Sequence, residues 1–362
     1  MKRLGTLITV LLSVLFMCCT CYAQIDTDVL YDALPEDARE MLDDSGITPT
    51  GGAEKLGVSD IFGKLAEIVT ADIDKPMKMF AAVMAVVMLS ALLSSVSETA
   101  GGTSAGVYRL VVSAASAVVI SLYLSEILAV SETSFTAVSD FMLTYIPVLA
   151  GVAAAGGHTA SAAVYSSAAI IAIQVLSRLI SSVVIPLASC IVGITAACGL
   201  DPDLKLDRLC EGVKKLVVWG LGLIMTLFLG ILSIQSMITA SADNAAMKTL
   251  KFAVSSSVPI VGGAVSDALS TVSGSIEVLK SGIGGFGIAA GVCMLLPPVI
   301  TAAAYKLFLF LAGVVSDLFG CDSTGRILRS GENVMSVIIA SLACMFTFVT
   351  VSSAILLLFC CS

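Results

Sequence analysis

The stretch Val107-Tyr-Arg-Leu-Val-Val-Ser-Ala-Ala-Ser-Ala-Val-Val-Ile-Ser-Leu-Tyr-Leu-Ser-Glu-Ile-Leu-Ala-Val130 is apolar apart from Arg109, Glu126 and small hydroxyl residues. It exceeds the roughly 20 residues that an α-helix needs to cross a bilayer. Only a helix satisfies every backbone group of a single segment in lipid. Comparable runs follow at Met77–Val96, Ala160–Ile185, Leu216–Gln235, Gly285–Phe310 and Val334–Cys361. Shorter or more polar candidates are Phe141–Gly156, Pro186–Gly199 and Val258–Val278, and the residues leave open whether these cross or re-enter. The chain is 362 residues long, 57% hydrophobic and only 13% charged, against roughly 25% charged in an ordinary soluble domain. These features predict an all-α, polytopic integral membrane protein with six to eight crossings and exclude a soluble or disordered chain.

The net charge of -8 is unevenly placed. Residues 24–76 hold 13 Asp/Glu against 4 Lys/Arg, whereas the rest of the chain is close to neutral. Residues 1–23 read as a secretory signal: Lys2 and Arg3, an apolar run from Leu4 to Met17, then Cys21-Tyr-Ala23 as a cleavage site. An uncleaved first helix is the alternative reading. The acidic segment 24–76 is thereby expected outside the cytoplasm. Val29, Leu30, Ala33, Leu34, Ala38, Met41 and Leu42 recur at helical spacing, which predicts an amphipathic helix ending near Gly46. A second short helix is expected over 58–69. The acidity argues against nucleic acid and against an anionic lipid surface.

The basic clusters orient the membrane body, residues 77–362. Lys205, Arg208, Lys214 and Lys215, and Arg326 with Arg329, mark cytoplasmic loops. Ser131–Asp140 and Ser236–Asn244 have acids without bases and read as outer loops. The body also looks duplicated in parallel, as repeats 107–211 and 213–330. Arg109-Leu-Val-Val matches Lys215-Leu-Val-Val, Ile146-Pro147 matches Val258-Pro259, and Ile185-Pro186 matches Leu296-Pro297.

No catalytic constellation is visible, and no enzyme activity or cofactor is expected. His158 stands alone in a Gly-Gly-His-Thr turn, no Cys/His spacing suggests zinc, and Gly282–Gly287 lacks the lysine of a phosphate loop. Charge within a span is costly and points to function, which singles out Glu126, Arg178 and Lys306 as candidates for a polar pathway. Snorkelling or ion pairing is the plainer explanation for them. Pro147, Pro186, Pro259, Pro297 and Pro298 lie in apolar stretches with glycine nearby, as in the broken helices that line transporter sites. Plain kinks are the alternative.

Several stretches resemble the stage III sporulation protein AE family. They include Tyr31–Arg39, Tyr145–Gly151, Ser161–Tyr165, Trp219–Thr226 and Gly230–Gln235. Ala240–Asp243, Lys248–Phe252 and Val258–Leu269 extend the likeness over nearly the whole chain. The resemblance implies a membrane subunit of the channel-like complex that joins mother cell and forespore in endospore-forming bacteria. Implied partners are the other membrane proteins of the same operon, a cytoplasmic ATPase subunit, and a forespore protein across the intermembrane space. The implied location is the mother-cell-derived membrane around the forespore. A different class of function, a stand-alone permease or channel for small molecules, is also compatible with the residues.

Overall fold

The computed structural model of the protein describes residues 28–49, 73–100, 103–200, 207–257 and 262–360. Residues 1–23, the expected helix at 58–69 and Pro259 lie outside the described residues. Helices α1 (Asp28–Asp32) and α2 (Glu36–Asp44) come first. They are followed by α3 (Asp74–Ala100), α4 (Thr103–Ala155) and α5 (Thr159–Leu179). A π-helical turn (Ile180–Val184) leads into α6 (Ile185–Leu200). Helices α7 (Asp207–Ser257), α8 (Gly262–Leu318) and α9 (Asp322–Cys360) complete the chain. Six helical segments among the described residues are long and apolar enough to cross a membrane, and the chain is an all-α membrane protein.

The helices are longer than the sequence suggests. Ser131–Asp140 is not a loop but the middle of α4, and Ser236–Asn244 likewise lies within α7. Phe141–Gly156 is therefore no separate crossing or re-entrant piece; it continues α4 almost to its end. Local bonding explains why the polar stretch stays helical. Ser131, Thr133, Ser134 and Thr136 donate their hydroxyls to carbonyls three or four residues back on their own helix, while Phe135 and Val138 are buried. Pro186–Gly199 is similarly joined to the preceding span through the π-helical turn. Pro186 cannot donate to the carbonyl four residues earlier, and the wider turn immediately before it relieves the ring clash.

Glycines at positive φ reverse the chain where the periodic runs end. Gly157 (φ 94°) lies between α4 and α5, and Gly320 (φ 69°) lies between α8 and α9. The helices pack side by side, α8 against α9 most extensively. Cross-helix contacts set their register. Near the Gly320 turn, Thr324 Oγ1 lies 3.3 Å from Ser90 Oγ and 3.5 Å from Ser116 Oγ, tying α9 to α3 and α4. Asp317 and Arg329 close the same end in a two-pronged ion pair at 3.2 and 3.3 Å. Midway, Phe80 stacks on Phe308 with centroids 5.0 Å apart. At the far end, Tyr145 Oη donates to the Gly284 carbonyl at 3.4 Å and Tyr165 Oη to that of Ser352 at 2.5 Å.

Exposed large apolar side chains cover the half that carries the Gly320 turn and continue along α5 at Val164, Ile171 and Val175. They include Met88, Leu89 and Leu92 on α3, Val107–Val130 positions on α4, and Leu307–Phe319 positions on α8 and its turn. Leu209, Leu216, Trp219, Leu223, Leu227, Ile231 and Ile234 extend the belt along α7. In the other half, α4 beyond Asp140 exposes Pro147, Gly151 and Ala155, while Phe141, Tyr145, Ile146, Phe286, Phe348 and Val349 are buried.

Gly287 makes room for the fully buried ring of Tyr145: a Cβ there would overlap the phenol. Overpacking of this kind costs about 1–3 kcal/mol. Gly287→Ala should lower thermal stability in detergent, whereas Gly222→Ala, with open space around its Cβ, should not. Equal unfolding midpoints for the two variants would contradict the packing described.

Candidate functional site

The acidic N-terminal segment does not form one helix. Pro35 disfavours helical backbone at Leu34 and itself adopts φ -58° and ψ 150° at the head of α2, so the expected helix divides into α1 and α2. The apolar spacing survives the break. Leu30, Leu34, Ala38, Leu42 and Ile47 are at most 4% exposed, and the segment packs against α4 and α8. Tyr31 stacks against Phe286 on α8 with centroids 6.4 Å apart, and its hydroxyl bonds to the Asp43 carboxylate. Arg39 lies over the Tyr31 ring, 5.5 Å from its centroid, and pairs with Asp32 at 3.5 Å. Gly46 ends the segment at φ 64°.

Under this segment is a cavity of about 370 Å³. The segment supplies Pro35, Asp37, Ala38 and Met41, and Lys75 comes from the start of α3. Helix α4 adds Glu126, Ile127, Val130, Ser131, Thr133, Ser134 and Ala137. Helix α8 adds Cys293, Met294, Pro297, Pro298, Thr301 and Tyr305. The cavity lies where the belt of exposed apolar side chains ends, close to Val130 and Met77. Its polar wall is rich in acceptors. Two carboxylates face it, and Ser131, Thr133 and Ser134 have spent their hydroxyl protons on the carbonyls of Ile127 and Val130. Their oxygens retain only acceptor capacity. Among the described residues of the lining, Lys75 is the cationic donor.

Of the residues singled out from the sequence, Glu126, Pro297 and Pro298 meet in this cavity. Lys306 follows Tyr305 on α8 and is half-buried outside the lining. Arg178 is exposed at the end of α5, ahead of the π-helical turn, and Pro186 is exposed just after that turn. Pro147 is exposed on α4, and the helix runs through it, as α8 runs through Pro297 and Pro298. Sequence reasoning missed Lys75, Tyr305 and the Ser131–Ser134 hydroxyls. Lys75 carried a signal: it is a base on the side expected to lack bases. Among the described residues no group of three or more His, Cys, Asp or Glu could hold a metal ion.

A family model described as stage III sporulation protein AE matches residues 44–359. The chain belongs to the stage III sporulation protein AE family. The match takes in α3 to α9 and begins at the last residue of α2, so the Tyr31–Arg39 stretch lies before it. The chain is 25% identical over 182 residues to the stage III sporulation protein AE of Bacillus subtilis, covering 50% of this chain and 46% of that one. The aligned part thus spans about half the length of the relative. No solved structure matches the chain. Within the family match lie the α3, α4 and α8 walls of the cavity, whereas its α2 wall precedes the match.

Leu34 anchors the lid over this cavity and is 4% exposed. Leu34→Glu should undock the segment and unmask the Cys293 thiol, with a Cys293→Ser chain giving the background labelling. Labelling of Cys293 by a water-soluble maleimide should rise about tenfold, the equivalent of roughly 1.4 kcal/mol of lost docking. Unchanged Cys293 labelling would show that the segment does not cover the site.

Proposed function

We propose that this chain is a non-enzymatic membrane subunit of the channel- or secretion-like complex that endospore formers build between mother cell and forespore. The family match over residues 44–359 is the observation that carries this reading. Six apolar helices supply the membrane body. The mother-cell-derived membrane around the forespore is its proposed location, with energy supplied by a separate cytoplasmic ATPase subunit.

The charge distribution supports an orientation. Arg326 and Arg329 lie beside the Gly320 turn at the start of α9, and Arg208, Lys214 and Lys215 lie at the start of α7. By the excess of bases on cytoplasmic loops, these helix starts face the mother-cell cytoplasm. The acidic segment then lies across the apolar belt, toward the intermembrane space. Long helices of 53 and 51 residues, α4 and α7, open the two proposed repeats, in keeping with a parallel duplication.

The segment docks by its apolar side and keeps Glu36, Asp37, Glu40, Asp43 and Asp44 exposed. Such a face suits a partner in the intermembrane space that presents a basic surface. A second reading, a permease acting alone, is favoured by the cavity beside Pro297 and Pro298. Flux through the purified chain in liposomes without partners would favour the permease, and its absence the subunit.

Deleting the gene in its host should block development after engulfment and leave vegetative growth normal. Glu36→Lys combined with Glu40→Lys should abolish salt-sensitive co-purification with the intermembrane partner at unchanged protein level. A vegetative defect of equal size, or association indifferent to salt and to these charges, would count against the proposal.

A further inference from the structure

We propose that the cavity between α2 and the Pro297–Pro298 turn of α8 binds a small zwitterion of the α-amino-acid type. Its ammonium group would lie among the acceptors and its carboxylate at Lys75. This inference rests on reading the cavity as the functional site, and not on membership of a complex.

Size comes first. At about 370 Å³ the cavity is far larger than a bare ion requires and falls at the small end of small-molecule sites, roughly 300–1,000 Å³. Its chemistry is divided. Ile127, Val130, Ala137, Met294 and the two proline rings present apolar surface. Glu126 and Asp37 bring two carboxylates, and the back-bonded hydroxyls of Ser131, Thr133 and Ser134 can only accept. Pro298 adds to this, because it has no N–H to offer the Met294 carbonyl four residues earlier. Acceptors outnumber the hydroxyl donors of Thr301 and Tyr305 on this wall, which calls for a donor-rich group, and a primary ammonium has three donors and no acceptor.

An amine alone would balance the net charge of Glu126, Asp37 and Lys75 but bring no anion to Lys75. A carboxylate alone would face Glu126 and Asp37. A ligand with both charges on one short scaffold gives each lining charge an opposite partner, and its side chain takes the apolar wall. Complementarity of this kind serves specificity, since each wrong ligand meets an unpaired or like charge. The lining residues Lys75, Glu126 and Thr133 are exposed, so a charged solute can reach the site's polar groups.

The test uses the full chain purified in detergent, with radiolabelled L-leucine in equilibrium dialysis. Its decarboxylated and deaminated counterparts, 3-methylbutylamine and 4-methylpentanoate, serve as competitors. Saturable leucine binding is expected, with each analogue at least about tenfold weaker, a difference of roughly 1.4 kcal/mol. Lys75→Gln should bring leucine down to the affinity of the amine. Glu126→Gln should bring it down to that of the acid. Both side chains are exposed, and Ala137→Leu, which fills the cavity from α4, should abolish binding independently of charge. Absence of saturable binding overturns the proposal. So does competition by either analogue equal to that of leucine, or binding unchanged in all three variants. If leucine does not bind while the chain still associates with its sporulation partners, this inference falls and the function proposed above stands.

Discussion

Helix length against bilayer thickness is the constraint on which the rest of this molecule turns. A helix rises about 1.5 Å per residue, so α4, with 53 residues, is about 80 Å long. The hydrocarbon core of a bilayer is roughly 30 Å thick. Such a helix, with α7 and α8 of similar length, must leave lipid well before it ends. Side-chain exposure is distributed accordingly. On α4 and α8, large apolar groups face outward over Val107–Val130 and Leu307–Phe319 and inward over Phe141–Val152 and Ile283–Leu295, while α5 keeps Val164, Ile171 and Val175 outward. Apolar sequence thus does two jobs. One half faces lipid; the other builds a packed helical body about the buried rings of Phe141, Tyr145, Phe286 and Phe348.

The sequence made the first job easy to read and the second hard. Hydropathy located all six long helices because a lipid-facing helix needs an apolar run, whatever its neighbours are. It misjudged where those helices stop. Ser131–Asp140 has the composition of a loop, yet it contains no glycine or proline, and its hydroxyls bond back to their own helix. A polar stretch that itself carries buried Phe135 and Val138 remains helical because packing decides, and packing is not written in a hydropathy window. Pro35 shows the opposite error. The apolar spacing on either side of it is continuous, so periodicity predicts one helix, and only the backbone restriction before proline divides it.

Legibility of the site follows the same division. Glu126 was conspicuous because a charge in an apolar run is rare, and Pro297–Pro298 because two adjacent prolines rarely lie within a helix. Their meeting was not foreseeable, since they lie about 170 positions apart. The hydroxyls of Ser131 to Ser134 are ordinary residues in an ordinary composition. They matter only because the helix fixes their protons on carbonyls and leaves their oxygens beside two carboxylates. Arg178 and Lys306, equally conspicuous in sequence, stand outside the cavity lining. Conspicuous charge identifies candidates, and geometry selects among them.

The acidic segment belongs both to the cavity and to the outward acidic surface. It contributes Pro35, Asp37, Ala38 and Met41 to the cavity, and its remaining acids face away from the body. Occupancy of the cavity and docking of the segment are therefore not independent. A ligand that contacts Asp37 binds better when the segment is seated, and by linkage it must hold the segment in place by the same free energy. A partner that grips the outward acids without undocking the segment leaves the cavity whole. One that pulls the segment away removes a whole wall, and with it one of the two carboxylates. The sign of the coupling between partner and cavity is thus set by whether the partner's grip includes the apolar face of α2. That face is buried through Leu30, Leu34 and Leu42, so a partner reading only charge would leave the lid closed.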